Sequence, residues 1–349
     1  MGYERRGKDG GMSSLGLGII GAGRIGQLHL DNVRRHIPEA TVVALADIAF
    51  EHAKAVAAER GVPQVYADPA AVFESPDVDA ILICSSTDTH AGLIEAGAKA
   101  KKHVFCEKPI ALDLATIDRA VAAAEAAGIT LQVGFNRRFD PNFAEAKRQV
   151  SEGKVGSVHL LRIASRDPGP PPIEYVKLSG GLFLDMTIHD FDMARYIVGD
   201  EVEEVFAVGG VLVDPQIGNA GDIDTGVVVL RFGNGAIGVI DNSREAVYGY
   251  DQRLEVFGSG GMISVGNPKP HTAVRSSRDG DSAPPLLHFF LERYAESFIA
   301  ELRAFIDAAC GRSKVPVTGA DGRAPVAMAL AAKRSLQEGR PVRVSEIDG

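Results

Sequence analysis

The chain has 349 residues, a formal net charge of −9 and 45% hydrophobic residues, enough for a sizeable core and for two domains. The negative balance argues against nucleic acid and anionic membrane as partners, and Lys99, Lys101 and Lys102 fit a solvated helix end better than a nucleic-acid patch. Three scattered cysteines, Cys84, Cys106 and Cys310, make neither a disulfide framework nor a zinc cluster and fit a reducing cytosol.

Residues 1–14 are charged and glycine-rich, with no apolar stretch, so they read as a disordered extension rather than a signal peptide. Met12 is a second candidate start. No run approaches the roughly 18 apolar residues of a membrane span. Strand and helix then alternate from residue 15 to 134. Strands are expected at 15–20, 41–46, 80–84, 103–106 and 129–133. Helices are expected from the first glycine turn to about 36, then at 50–60, 89–100 and 113–127. Gly61 and Gly128 stop two of them. Such alternation predicts a doubly wound parallel sheet covered on both faces. From 135 to 349 the pattern changes. A helix at 141–152, a strand at 157–165 and a proline-rich loop at 167–172 precede a helix carrying His189. Long strands at 203–213, 225–232, 236–244 and 253–257 follow, with turns at Gly233-Asn234-Gly235 and 258–261. Helices close the chain at 286–310 and 322–338. The expected class is α/β: a Rossmann domain over 15–134, then an α+β domain over 135–349 with a large open, mostly antiparallel sheet.

Gly21-Ala22-Gly23-Arg24-Ile25-Gly26 has the setting that a dinucleotide turn requires, a strand before it and a helix after it. Gly21 allows the turn, Gly23 admits a pyrophosphate to the backbone, and Gly26 lets helix and strand pack closely. An acid is expected about 20 residues on, at the end of the second strand. Asp47 stands there, placed for the ribose hydroxyls and hostile to a 2′-phosphate, and no arginine follows in 48–53. NAD is therefore preferred over NADP. A tight turn in an unrelated α/β domain is the competing account, and strand, helix and Asp47 together outweigh it. The strand end at Ser85 to Thr87 should also open over the cofactor, so Ser85, Thr87 and His90 are candidates. For His90, a solvated helix start is an equal alternative.

Glu107-Lys108-Pro109 follows another strand at the same sheet edge. A lysine there can donate to a substrate oxygen and stabilise the alkoxide character that grows as hydride leaves. Asp185 and His189 are four apart, so one helix would present both on one face. A carboxylate beside an imidazole is equipment for moving one proton. A metal site using Asp185, His189, Asp190 and Asp192 is a second reading. Asp190 lies off the shared face, however, and no His or Cys cluster supports it. Solvated helix polarity is a third reading. The double glycine at 180–181 and the upstream lysine favour the first, and no metal is expected.

These motifs, Gly21 to Gly26, Cys106-Glu107-Lys108-Pro109 and the run from Gly180 to Tyr196, resemble the Gfo/Idh/MocA oxidoreductases over residues 15–340. Within the family the likeness is to its inositol dehydrogenases, through the runs at 132–140 and 248–251. The resemblance implies NAD-dependent oxidation of a ring hydroxyl of a cyclic polyol, myo-inositol to its 2-keto form. It implies His189 as base, Asp185 orienting it and Lys108 polarising the oxygen. Glu107 joins the cofactor set by the same likeness. Asn136, Arg137 and Tyr250 become substrate contacts, and the assembly a homotetramer in the cytoplasm built through the open sheet. Some inositol dehydrogenases carry a histidine where this chain has Ser165, which leaves the stereoisomer open. Oxidation of another inositol isomer or of an aldose, a glycosidase that oxidises its substrate transiently with bound NAD, and a non-catalytic nucleotide-binding regulator are the alternatives on this scaffold.

Overall fold

The structure, a computed structural model, describes residues 14–347, so all of the N-terminal extension except Ser14 lies outside the described residues. It divides into two units. One comprises the chain up to Asn136 together with Glu296–Arg323, the other Arg137–Ala295 together with Ala324 onward.

In the first unit, strands β1 (Leu15–Ile20), β2 (Ala40–Ala46), β3 (Gln64–Tyr66), β4 (Ala80–Ile83), β5 (His103–Glu107) and β6 (Leu131–Gly134) form one sheet. Its order is β3-β2-β1-β4-β5-β6, with every pairing parallel. The crossovers carry α1 (Arg24–His36), α2 (Phe50–Arg60), α3 (Ala70–Glu74), α4 (Thr87–Lys99) and α5 (Leu114–Ala127). The strand order reverses between β1 and β4, and ligands of doubly wound sheets bind past the strand ends at that point. Strand β1 is buried at every position, as a sheet covered on both faces demands. Gly61 and Gly128 cap α2 and α5 in the left-handed region.

The first segment of this unit ends at Asn136, next to a division at 134/135, but Glu296–Arg323 joins it as a second segment. Leu302, Phe305, Ile306 and Ala309 share one buried cluster with Leu15, Leu17, Ile19 and Leu30. The apolar face of their helix is what brings this late segment back to the parallel sheet.

The second unit contains α6 (Pro141–Ser151), β7 (Val158–Arg166), α7 (Ile173–Leu178), α8 (Leu182–Asp185) and α9 (Thr187–Val198). Then come β8 (Val202–Gly210), α10 (Pro215–Asn219), β9 (Thr225–Phe232), β10 (Ile237–Ser243), β11 (Asp251–Gly258) and β12 (Gly261–Val265). A small hairpin, β13 (Arg275–Ser277) with β14 (Gly280–Ser282), and helix α11 (Phe290–Arg293) follow. Next are α12 (Ala295–Ala309), which carries the late segment, α13 (Gly319–Glu338), which begins in the first unit and ends in the second, and β15 (Val342–Arg343). The sheet order is β12-β11-β7-β10-β9-β8-β15. Only β7 and β10 pair in parallel, so the sheet is mostly antiparallel, as expected. Helix α9 packs on β7 and β10, and its Ile188, Phe191, Ala194 and Ile197 are buried. Val208, Val227, Val229, Ile237, Phe257 and Met262 are exposed on the sheet strands. Among the described residues no helix is long and apolar enough to cross a membrane.

Candidate active site

The glycine turn of the first unit is built as an anion cradle. Gly21 lies at φ +103°, and its amide donates to Ala46 O, which anchors the turn to β2. A Cβ on Gly26 would fall 1.9 Å from Gly21 O, so only glycine lets α1 start this close to β1. A Cβ on Gly23 would meet nothing within 4 Å, because the residue faces open space at the start of α1. No side chain caps that helix. Its first amides, beginning with exposed Arg24 and half-buried Ile25, face outward with the positive end of the helix dipole. This fits a pyrophosphate. Asp47 has one oxygen on the amide of Ala22 (2.6 Å) and the other on the amide of Ala49 (2.8 Å). The carboxylate thus pins the turn and keeps lone pairs for further donors.

Ser85 and Thr87 stand at the β4 exit, where Ser85 Oγ is 2.6 Å from Thr89 Oγ1. His90 is not the solvated helix-start residue considered for it. It is buried, with Nδ1 2.8 Å from Pro109 O and Nε2 3.1 Å from Ser85 O, so the ring ties the β4 and β5 exits together. Lys108 is half-buried directly after β5 and precedes a cis peptide bond to Pro109. Glu107 turns inward, with Oε1 2.7 Å from Nε2 of buried His29.

In the second unit, Asp185 and His189 do not share one unbroken helix. Helix α8 ends at Asp185, Met186 interrupts the ladder at φ −97°, ψ −57°, and α9 starts at Thr187. The Thr187 hydroxyl donates to Asn242 Oδ1 at 2.5 Å and reaches toward Leu182 O. Side-chain bonds of this kind compete with the regular helical ladder. Gly180 and Gly181 both have positive φ, and Asp222 accepts from the Leu182 amide at the start of α8. The break leaves His189, half-buried, in the first turn of α9.

Asp185 is held at both oxygens. Tyr175 Oη donates to Oδ1 at 2.7 Å, and Arg244 pairs with Oδ2 at 2.9 Å. Arg244 is itself buried and lies 3.6 Å from Asp167. Burial pushes Asp167 up to about 6, with Arg244 pulling against it. Burial first, then Asp185, raises the Tyr175 phenol above its usual range.

Behind His189 lies a closed network. Asp190, wholly buried, accepts from Arg137 at 2.7 Å and Asn242 at 2.8 Å, and Ser165 Oγ lies 2.5 Å away. Ser165, at the position of the sequence departure, also reaches Gln252. Asp192 is forked by Arg138. Asp190 and Asp192 are therefore held by separate guanidinium groups, which is not the geometry of a shared metal with Asp185 and His189. Arg137 is buried with its charge on Asp190, and Tyr250 is buried against Phe289 and Tyr294. Asn136, also buried, closes the first unit at a 3₁₀ turn.

Arg244, Tyr175, Asp167 and His29 were not among the residues expected at the site. In the sequence Asp167 is only part of the run beside the Ser165 departure, and it is the fold that brings 167, 175, 185 and 244 together.

A dinucleotide-binding parallel sheet, followed by a mixed sheet bearing a buffered Asp and a half-exposed His, defines a two-unit nicotinamide oxidoreductase. The family model of the oxidoreductases with an NAD-binding Rossmann fold matches residues 15–135, and the Gfo/Idh/MocA C-terminal domain matches 143–264. The chain belongs to the Gfo/Idh/MocA family. It is 53% identical to myo-inositol 2-dehydrogenase of Thermotoga maritima over 95% of this chain and 99% of that protein. Inositol 2-dehydrogenase of Rhizobium meliloti is 43% identical over 94% and 98%. Among solved structures, scyllo-inositol dehydrogenase from Lactobacillus casei with bound NAD(H) and scyllo-inositol superposes with a TM-score of 0.90 at 31% identity, over 95% of this chain and all of that one.

Proposed function

We propose that the protein oxidises a ring hydroxyl of a cyclic polyol with NAD, converting myo-inositol to its 2-keto form. The observation that carries this reading is the likeness to inositol dehydrogenases along nearly the full length of both chains. Bound NAD supplies the hydride acceptor. Gly21, Gly23 and Gly26 with the α1 amides hold its pyrophosphate, and Asp47 its ribose. His189 takes the proton from the substrate hydroxyl at a ring nitrogen. Asp185, its two oxygens fixed by Tyr175 and Arg244, orients that imidazole. Lys108 donates to the substrate oxygen and stabilises it as it becomes alkoxide-like. The other ring hydroxyls need polar partners, since a buried donor left unmatched costs about 1–3 kcal/mol. Asn136 and Asp167 suit that role. We assign Arg137 a supporting one, holding Asp190 beside His189, and Tyr250 a place in the wall behind it. The enzyme works in the cytoplasm as a homo-oligomer, a tetramer by family likeness, joined through the open face of the second unit's sheet.

The test is a panel of inositols and aldoses scored by NADH absorbance, with His189→Ala and Lys108→Ala alongside. Net NADH from myo-inositol, with turnover down on the order of 10²-fold or more in each variant, is the expected result. Glycoside cleavage without net NADH would instead mean the transient-oxidation chemistry. Near-wild-type turnover in either variant would remove that residue from the mechanism.

A further inference from the structure

Three side chains that the proposed mechanism does not use lie together inside the first unit, one of them on the residue that precedes Lys108. His29 of α1, Glu107 of β5 and Glu301 of α12 bring one nitrogen and two carboxylate oxygens within 4.8 Å of one another. His29 and Glu301 have no exposed surface. His29 Nε2 is bonded to Glu107, while neither oxygen of Glu301 has a hydrogen-bond partner. The ring of His29 stands edge-on to Phe105 and Phe298, so its orientation is set by packing. Among the described residues, Cys84 past β4 faces both carboxylates and Cys106 of β5 faces Glu107, both thiols held neutral by burial. Gln132 of β6 donates to the backbone carbonyl of Glu301 and leaves its own Oε1 unpartnered.

A fully buried carboxylate this close to the half-buried Glu107, with the one imidazole nearby already bonded to Glu107, is disfavoured as a second anion. One member is therefore expected to carry a proton. Glu107 has the imidazole, and Glu301 has only Glu107's charge for company. Burial, then that charge, pushes the Glu301 carboxyl well above the usual carboxylate range.

We propose that Glu301 is a positioning residue for Lys108: it is kept as the neutral acid, so that Glu107 stays a single ion seated on His29 and holds the end of β5 from which Lys108 leaves. The segment that completes the first unit's core thereby also sets the electrostatics behind the reacting lysine. The inference rests on the role proposed above for Lys108.

Three measurements on the full-length enzyme test it. Difference infrared spectroscopy, wild type against Glu301→Gln at pH 7, should show a protonated-carboxyl carbonyl band in the wild type alone. Thermal midpoints should separate with pH. The wild type holds a proton that its unfolded chain releases, so it loses stability as pH rises above about 4.3, whereas Glu301→Gln lacks that slope. In kinetics, Glu301→Ala should lower kcat for the polyol about tenfold while the dissociation constant for NADH moves less than threefold. Glu301→Gln, isosteric with the neutral acid, should recover at least half of the lost turnover. If Glu301→Ala fails to fold, the infrared band and the pH slope of Glu301→Gln still decide the matter. Absence of the band, parallel pH curves, or wild-type kcat in Glu301→Ala overturns the proposal. So does a stoichiometric metal ion in the purified protein, which would make the three side chains a ligand set. Wild-type turnover in Lys108→Ala would overturn the underlying reading of the lysine alone, because the infrared band does not depend on it.

Discussion

Arg137 and Asp190 are both buried, and a buried pair broken from one side leaves an uncompensated charge. Arg137→Ala is expected to cost about 3–5 kcal/mol, seen as a lower urea midpoint at unchanged m-value. A loss below about 1 kcal/mol would mean that the pair is solvated in solution. Asp167 gives a pH signature instead. Its folded value of about 6 exceeds the 3.9 of an unfolded aspartate. Between those values the folded chain binds the extra proton, so stability falls as pH rises from about 4 to about 6 and is level above. Asp167→Asn removes that slope. Melts at several pH values should show the variant gaining on the wild type across the window, by at most about 2–3 kcal/mol, then running parallel. A constant offset would contradict the shift. At this scale the sequence was legible where a residue carried a motif. Lys108, Asp185 and His189 stand in recognisable runs, and so does Asp47. Arg244 and Tyr175 do not, because an arginine after a strand and a tyrosine in a short helix have no characteristic spacing. Their contacts with Asp185 span ten and 59 residues of chain.

The elements were more legible than the residues between them. Alternating apolar strands and the glycine caps at 61 and 128 are local signals, and local signals survive folding. The break at Met186 was not legible, since the bond that competes with the helix runs from Thr187 to Asn242, 55 residues away. The short strand β3 was missed for a related reason. Three half-buried residues at a sheet edge have no periodicity to read. The glycine turn allows a sharp contrast within one motif. Gly26→Ala drives a methyl group into a backbone carbonyl and should destabilise the protein by about 1–3 kcal/mol or more. Gly23→Ala meets no protein atom, so the thermal midpoint should hardly move, while NADH affinity falls about tenfold or more as the methyl fills the anion cradle. The chain has no tryptophan, so bound NADH can be titrated by its own fluorescence without an indole background. Equal effects of the two substitutions on stability and on binding would refute the division of roles.

At the scale of the whole molecule, composition and pattern were enough for two domains, a parallel sheet and an open antiparallel one. They did not reveal which later segment rejoins the first domain, because an amphipathic helix does not name the core it will cover. The exposed valines of β8 and β9, with Ile237, Phe257 and Met262, form the apolar content of a sheet surface that we assign to self-association. Val227→Lys with Val229→Lys should leave the fold intact and shift light-scattering mass from oligomer to smaller species. A wild-type monomer at micromolar concentration would end that assignment. The return of Leu302, Phe305 and Ile306 to the first unit has a consequence for synthesis of the protein. These three side chains are worth about 5–9 kcal/mol of burial, comparable with the entire stability of an ordinary domain. A nascent chain that has just emerged through residue 136 therefore cannot close its coenzyme-binding half. It must wait for roughly 190 more residues, about 10–40 s at usual translation rates, with that apolar surface open to chaperones in the meantime.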